Sequence, residues 1–292
     1  MRRVSVSVVI ASLVAVLAAA CGPLDTPTGT APLRYRDAVF TTVTTTSDIT
    51  YGSAVDQNNQ TVTLKLDMYQ PTGDTVTSRP AIVWVHGGGF SAGDKTSPEL
   101  VDEATQFALE GYVNVSINYR LSPTSCVGTV TAQCIIGIVQ ALQDAQTAVR
   151  FLREQAATYG IDPNRIAIGG SSAGAITALN VAYGSQNPGP GDHQGFSSAV
   201  RAAQSLSGAA IPSSAIGAGD APALLLHGTA DPIVAYSLAQ DTVSKAQAAG
   251  LVAVLVSFTG DGHVPYAKNR TTILTDTRNF FYNEMDLAHA AQ

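Results

Sequence analysis

Short, strongly apolar runs alternate with helix-like stretches over most of the chain. Six of these runs are residues 80–86, 112–119, 165–170, 199–207, 222–228 and 251–258. Several of them are apolar almost throughout, which is typical of strands covered on both faces of a sheet. Stretches typical of helices fall between most of these runs: residues 98–110, 139–159, 173–183, 233–249 and 271–289. This alternation predicts an α/β fold, with a mostly parallel, doubly wound sheet and helices on both faces.

The N-terminal part of the fold follows a different pattern. Residues 38–46 and 61–69 alternate polar and apolar positions, as exposed antiparallel strands do. Residues 56–60, which lie between them, have the composition of a hairpin turn. With the six apolar runs, these two strands predict an eight-stranded sheet. No internal repeat or second domain is evident, so we predict a single α/β domain over residues 36–292.

The first residues predict an export signal. Arg2 and Arg3 supply positive charge, residues 4–20 are uncharged and mostly apolar, and small residues precede Cys21. This arrangement resembles a bacterial lipobox, which predicts that residues 1–20 are removed and that Cys21 is lipidated; the alternative is an ordinary signal peptide with a chance cysteine. Residues 21–35 are predicted to form a flexible tether. The expected location is outside the cytoplasm, with the protein either secreted or anchored to the membrane by its lipid only.

Composition and charge exclude some partners and cofactors. The 16 Lys and Arg residues against 22 Asp and Glu residues give a formal net charge of -6, and no basic cluster follows residue 3. Nucleic acid is therefore not an expected partner. Besides Cys21, the chain has Cys126 and Cys134, and export to an oxidising compartment predicts a disulfide between them. No Cys/His spacing suits zinc, and no metal or cofactor is expected.

The stretch GGSSAG, residues 169–174, follows one of the apolar runs and precedes a helix-like stretch. Loops at the carboxyl ends of parallel strands carry the sites of open α/β proteins. Centred on Ser172, residues 170–174 match G-x-S-x-G in full, whereas the frame centred on Ser171 lacks the second glycine. This motif builds a tight strand-to-helix turn with a nucleophilic serine at its tip. The alternatives are a small-residue turn or a phosphate cradle, although neither P-loop nor dinucleotide-binding spacing is present.

A second glycine-rich stretch, HGGGF at residues 86–90, follows another apolar run. Consecutive glycines cost conformational entropy, so they are favoured where bare backbone N–H groups must face a developing oxyanion. We predict that the N–H groups of Gly88, Gly89 and Ala173 form an oxyanion hole; the alternative is a flexible glycine loop. His86 is interpreted as a residue that orients this loop through a hydrogen bond.

A serine nucleophile needs a general base, and the chain has five histidines. In hydrolases with the G-x-S-x-G turn, the order along the chain is serine, acid, histidine. Ser172, Asp231 and His263 satisfy this order, each on a loop that follows a predicted strand. Asp261 is the rival acid, but it lies two residues from His263 on the same loop and is interpreted as a polar turn residue.

Together these motifs make the chain resemble α/β-hydrolase esterases, above all the hormone-sensitive-lipase-like and bacterial feruloyl or acetyl esterase groups. The resemblance runs from about residue 62 to residue 263 and rests on LDMYQP, WVHGGGFSAGDK, NYRLSP, DAQTAVRFLREQAATYGIDPNRIAIGGSSAGA and LLLHGTADPIV. It implies the α/β-hydrolase fold and the same catalytic and oxyanion residues. The chain departs from the lipase-like relatives in lacking a helical N-terminal cap and a large lid insertion. Only residues 122–138 and 184–197 remain as candidates for a lid.

The sequence therefore predicts an exported serine carboxylesterase that cleaves short-to-medium acyl esters through an acyl-enzyme. With little or no cap domain, the expected substrates are small-molecule esters or acyl groups displayed on polysaccharides. Two alternatives are kept: a serine peptidase of the prolyl-oligopeptidase kind, which shares the triad, and a catalytically silent binding protein on the same fold.

Overall fold

Eight strands form one sheet in the computed structural model, which describes residues 22–184, 187 and 189–291. The first strand begins and ends later in the chain than its predicted range of residues 38–46. The strands are β1 (Val43–Val55), β2 (Thr61–Pro71), β3 (Arg79–Val85), β4 (Val113–Ile117), β5 (Ile161–Gly170), β6 (Ala203–Leu206), β7 (Ala223–Gly228) and β8 (Ala253–Phe258). Their order across the sheet is β1-β2-β4-β3-β5-β6-β7-β8. β2 is antiparallel to both β1 and β4, and all other pairs are parallel. The predicted signal peptide and Cys21 lie outside the described residues.

Helices cover both faces of this sheet, as the alternating pattern predicts. They are α1 (Pro98–Leu109), α2 (Ala132–Glu154), α3 (Ala156–Tyr159), α4 (Ala173–Ala182), α5 (Tyr236–Ala248) and α6 (Tyr266–Glu284). One apolar core lies between the sheet and α2, α4 and α5, and a second lies between the sheet and α1 and α6. The described helices include none with both the length and the apolar character that crossing a bilayer requires.

The helix predicted over residues 139–159 begins earlier than its apolar periodicity indicates. α2 starts at Ala132, where the hydroxyl of Thr131 accepts a hydrogen bond from the backbone N–H of Cys134 at 3.1 Å. Such a cap satisfies one of the free N–H groups of the first turn. The predicted disulfide is present and joins Cys134 in that turn to Cys126 in the preceding loop. The first turn of α2 is therefore fixed both by a helix cap and by a covalent bond.

The segment predicted as a flexible tether instead packs against the domain. Tyr35 is fully buried, and its hydroxyl donates a hydrogen bond to the carbonyl of Ala291 at 2.6 Å. The hydroxyl of Tyr112 in turn donates to the carbonyl of Tyr35 at 3.0 Å. Leu24 and Leu33 pack against the core on the α1 and α6 side of the sheet. Composition rich in Pro, Thr and Gly indicated a tether, but a few apolar side chains are enough to hold the described part of this segment.

Replacing Tyr35 by alanine should lower the free energy of unfolding by about 3 kcal/mol, because the change removes a fully buried aromatic ring. Denaturant unfolding followed by circular dichroism measures the difference. Thr28→Ala, which alters an exposed side chain of the same segment, is the control and should leave the midpoint unchanged. Equal stability of the two variants would show that the segment contributes nothing to the domain.

Candidate active site

Ser172 occupies a strained turn between β5 and α4. Its backbone angles are φ 53° and ψ −116°, and a positive φ is uncommon for any residue other than glycine. The backbone N–H of Ser172 donates to the carbonyl of Leu206 at the end of β6, at 2.9 Å. Strain of this kind persists only where neighbouring structure enforces it, and it clusters at functional sites. The turn therefore presents the serine at the carboxyl edge of the sheet.

Two glycines allow this turn to lie directly against the end of β3. A Cβ atom added to Gly170 would lie 2.4 Å from the carbonyl oxygen of Val85, and one added to Gly174 would lie 1.9 Å from the same atom. Both distances are shorter than real Cβ contacts, and the obstacle is backbone that cannot rotate away. The two glycines of the G-x-S-x-G match are thus required by close packing of strand and helix.

The side chains of Ser172, His263 and Asp231 form one continuous hydrogen-bonded chain. The Nε2 atom of His263 lies 2.8 Å from the Oγ atom of Ser172, and its Nδ1 atom lies 2.7 Å from the Oδ2 atom of Asp231. Because a carboxylate only accepts, Nδ1 carries the proton that it donates to Asp231, and the serine hydroxyl donates to Nε2. The three residues follow β5, β7 and β8, and parallel pairing of the strands brings these loops to the same edge.

The environment of Asp231 holds it as a carboxylate. Burial alone would raise the pKa of the Asp231 carboxyl, but the hydrogen bond from His263 and the backbone N–H groups of Ile233 and Val234 lower it below its usual value. The two backbone groups donate to Oδ1 at 2.8 and 3.1 Å. The Nε2 atom of His227 lies 3.2 Å from Oδ2 and donates to the carbonyl of Val234 at 2.9 Å. His227 therefore belongs to the surroundings of the acid.

The rival acid, Asp261, directs its carboxylate elsewhere. Its two oxygens accept hydrogen bonds from Lys268 and Asn269 in the first turns of α6, the latter at 2.7 Å. Its backbone carbonyl accepts from the N–H of Ala230, at 2.9 Å, and so joins the loop after β7 to the loop after β8. These contacts fit the interpretation of Asp261 as a turn residue.

His86 holds the glycine loop that follows β3. The Nδ1–H group of His86 donates to the carbonyl of Gly87 at 2.7 Å, and its ring stacks on Tyr119 with centroids 4.2 Å apart. Burial lowers the pKa of His86, so the ring is neutral. A neutral, buried histidine that is fixed by one hydrogen bond and one stacking contact fits the interpretation of His86 as an orienting residue.

Gly88 and Gly89 both have positive φ angles, 112° and 58°, which glycine adopts without strain. A cavity of about 500 Å³ opens beside the nucleophile, and Gly89, Ala173 and Ser172 all line it. Gly88 does not line the cavity, and its carbonyl closes a turn by accepting from the N–H groups of residues 91 and 92 at 3.1 Å. The structure thus brings two of the three predicted oxyanion donors to the cavity, with the third beside them in the loop.

Several contacts that hold the site have no signal in the sequence. The hydroxyl of Ser207 accepts the backbone N–H of Val264 at 2.9 Å and fixes the position of the loop that carries His263. The hydroxyl of Ser171 donates to the Oε1 atom of Glu99 at 2.7 Å. Both partners lie far apart along the chain, and neither belongs to a recognisable motif.

No separate cap domain is present in the described residues, yet one side of the cavity has a wall. The wall is formed by residues 126–139, which include both disulfide cysteines and the first turns of α2. This range overlaps the first of the two segments considered for a lid. The apolar run CIIGIV at residues 134–139 is a usable signal, because Ile135 and Ile136 are exposed although they lie in an apolar run. No group of three or more His, Cys, Asp or Glu side chains suited to a metal ion occurs among the described residues.

Family comparisons agree with this architecture. The BD-FAE family model matches residues 66–195, and the Phospholipase/Carboxylesterase family model matches residues 137–279. Phenmedipham hydrolase of Pseudarthrobacter oxydans is 35% identical over 41% of this chain and 23% of its own length. Acetylcholinesterase of Gallus gallus is 32% identical over 53% of this chain and 21% of its own length. The chain thus spans less than a quarter of the length of these two curated relatives.

Solved structures resemble the whole domain. Thermogutta terrifontis esterase 2 phosphorylated by paraoxon superposes with a TM-score of 0.70 at 23% identity, covering 85% of this chain and 96% of that one. The propionate-bound form of the same esterase gives a TM-score of 0.67 at 23% identity, with 84% and 95% covered. At this level of identity, the likeness establishes the α/β-hydrolase fold.

Replacing Gly174 by alanine should destabilise the domain and displace the turn at Ser172, because the new Cβ would meet the backbone of Val85 at 1.9 Å. Overpacking of this kind costs about 1–3 kcal/mol or more. Thermal unfolding measures the loss. Gly217→Ala is the matched control, since its nearest neighbour would be 3.9 Å from the new Cβ, and its melting temperature should equal that of the wild type. A stable Gly174→Ala variant would contradict the packing described here.

Proposed function

We propose that this chain, which has the α/β-hydrolase fold and matches two hydrolase family models over parts of its length, is a serine carboxylesterase acting on short-to-medium acyl esters. The observation that carries the proposal is the unbroken hydrogen-bonded chain from Ser172 through His263 to Asp231. It ends at a cavity that also contains backbone groups of the glycine loop. A silent binding protein would have no need of a strained serine in contact with a histidine.

The proposed reaction begins when His263 accepts the hydroxyl proton of Ser172 and the Oγ atom attacks the ester carbonyl. The developing oxyanion meets the N–H groups of Gly89 and Ala173, assisted by Gly88. Each donor of this kind contributes about 10²–10³ in rate. His263 then gives its proton to the leaving alkoxide, which departs as an alcohol. In the second half, His263 takes a proton from water as the water oxygen attacks the acyl-enzyme. It then gives that proton to the Oγ atom of Ser172 as the bond to the acyl group breaks, and the free acid leaves.

Asp231 has a supporting part in this scheme. Its carboxylate holds Nδ1 of His263 in the protonated form and stabilises the imidazolium that forms during each half-reaction. Since the pKa of Asp231 lies below its usual value, the carboxylate keeps its negative charge throughout. The relatives support an ester substrate by their names alone: they include an acetylcholinesterase and two lipases of Geotrichum candidum.

Substitution of the three residues tests this proposal. Ser172→Ala should abolish hydrolysis of p-nitrophenyl acetate and covalent labelling by paraoxon. Asp231→Asn should lower kcat by about 10²–10⁴ because the histidine loses its orienting acid. Asp261→Asn, a change of the same kind on the same edge of the sheet, is the control and should retain wild-type activity. If Asp261→Asn lost as much activity as Asp231→Asn, the assignment of the acid would be wrong; paraoxon labelling that survived in Ser172→Ala would overturn the choice of nucleophile.

We also propose that the protein is exported and anchored through a lipid on Cys21. The supporting observations are the apolar, basic-headed start of the sequence and the Cys126–Cys134 disulfide, which is favoured in oxidising compartments. Cells that express the full chain and are fed alkyne-tagged palmitate should yield a labelled protein, and Cys21→Ser should remove the label. If neither the wild-type chain nor the Cys21→Ser variant carried the label, the proposed lipid anchor would be wrong.

A further inference from the structure

The cavity beside Ser172 is lined almost entirely by aliphatic side chains. They come from four segments: residues 127–139, Ala173 with Ile176, Ile211 with Pro212, and residues 233–238. Apart from Ser172 and the two disulfide cysteines, no lining side chain in the described part of the chain carries a charged or hydrogen-bonding group. A volume of about 500 Å³ lies within the range of small-molecule sites.

Exposed apolar side chains are concentrated at this cavity. Seven of the twelve large hydrophobic residues that are exposed among the described residues line it: Val127, Val130, Ile135, Val139, Ile211, Ile233 and Leu238. Scattered single exposures need no explanation, but a contiguous patch marks an interaction site. The concentration at one cavity indicates a built apolar subsite.

The reaction geometry decides which half of an ester this subsite receives. The leaving oxygen must approach Nε2 of His263, from which it takes a proton, while the carbonyl oxygen lies at the N–H groups of Gly89 and Ala173. The cavity is lined by Ser172, Gly89 and Ala173 but not by His263. A substrate with its alcohol directed toward His263 therefore places its acyl chain in the cavity.

The residues that line the cavity also favour one class of acyl group over another. A hydroxycinnamoyl group carries a phenolic hydroxyl, which needs a hydrogen-bond partner when it is buried. Among the described residues that line the cavity, the only hydroxyl or charged side chain is that of Ser172, which the reaction itself uses. A saturated aliphatic chain has no polar group to satisfy, and each methylene that leaves water contributes about fourfold in binding.

The wall formed by residues 126–139 is connected directly to the oxyanion loop. The backbone N–H of Cys126 donates to the carbonyl of Gly89 at 3.0 Å, and Cys126 is covalently bound to Cys134 in the first turn of α2. A Cβ atom on Gly89 would lie 2.8 Å from the hydroxyl of Ser125 and 3.0 Å from a methyl group of Val127. The disulfide thus holds the apolar wall and the oxyanion loop in one position relative to each other.

From these observations we propose that the cavity is an acyl subsite for medium-chain aliphatic acids, and that the Cys126–Cys134 disulfide positions its wall. This proposal rests on the esterase function proposed above and specifies its substrate class. The favoured substrates are then esters of medium-chain aliphatic acids, because each methylene that enters the cavity leaves water. Acetyl groups on polysaccharides leave most of the cavity empty and are poor substrates by comparison.

The first test compares p-nitrophenyl acetate, hexanoate and octanoate, with methyl ferulate as the hydroxycinnamoyl ester. For the wild type, we expect kcat/KM to rise at least tenfold from acetate to octanoate and to be lowest for methyl ferulate. Cleavage of acetate with no gain for octanoate, or a preference for methyl ferulate, would overturn the acyl proposal while leaving the esterase proposal intact. Failure to cleave any ester would overturn the proposed function itself.

The second test uses a matched pair of substitutions. Val139 lines the cavity and Val252 does not, and their exposed fractions are 44% and 42%. Val139→Asp should lower the octanoate-to-acetate ratio of kcat/KM at least tenfold, because it places a charge against the acyl chain. Val252→Asp should leave the ratio unchanged. Equal ratios in the two variants would overturn the subsite.

The third test removes the disulfide by the double substitution Cys126→Ser and Cys134→Ser. The octanoate-to-acetate ratio should fall severalfold, mainly through a higher KM for octanoate. Circular dichroism and paraoxon labelling of Ser172 identify preparations that are folded and retain the nucleophile, and only these enter the comparison. An unchanged ratio in folded, labelled protein would overturn the positioning role of the disulfide; wild type reduced with dithiothreitol provides a second, mutation-free measurement with the same expected fall.

Discussion

The close approach between the turn at Ser172 and the end of β3 is the constraint on which the rest of the site depends. Gly170 and Gly174 both lie against the carbonyl of Val85, and neither tolerates a Cβ atom there. This packing forces Ser172 to a positive φ and places its N–H against Leu206. It also brings the turn next to His86, where the glycine loop begins. The proposed nucleophile and the proposed oxyanion donors therefore lie side by side, because their loops follow the adjacent parallel strands β5 and β3 at the same edge of the sheet.

A second group of contacts fixes the proton-transfer residues relative to that turn. Asp231 is held by two backbone N–H groups, and the loop that carries His263 is held by Ser207 through Val264. None of these contacts involves an exposed, mobile ion pair. Together with the hydrogen bonds from His263 to Asp231 and from Ser172 to His263, these contacts align the histidine with the serine.

The apolar wall shows how a small domain can shape a subsite without a cap domain. The first turns of α2 present aliphatic side chains away from the core, where they cannot be supported by packing alone. The Thr131 cap, the Cys126–Cys134 disulfide and the hydrogen bond from Cys126 to Gly89 supply the missing support. In the proposed reaction, substrate selection and oxyanion stabilisation therefore both depend on this short segment.

The pattern of polar and apolar residues was sufficient to predict the type of nearly every element and the succession of elements along the chain. Apolar runs and helical spacing show directly which side chains are buried. The G-x-S-x-G turn and the chain order also predicted Ser172, Asp231 and His263, and the structure brings these three side chains into one hydrogen-bonded chain. Local pattern misjudged residues 22–35, where a few side chains such as Tyr35 outweigh a tether-like composition.

Only the tertiary structure decided which residues that are distant in the chain contact each other. The sequence by itself determined an α/β sheet with a serine turn, a glycine loop and a disulfide, because each of these features depends on residues that lie close together in the chain. The alignment of His263, the different contacts of Asp261 and the aliphatic cavity behind the glycine loop depend on where separate loops meet. Those positions follow from strand order and from packing across the sheet, which no local pattern contains.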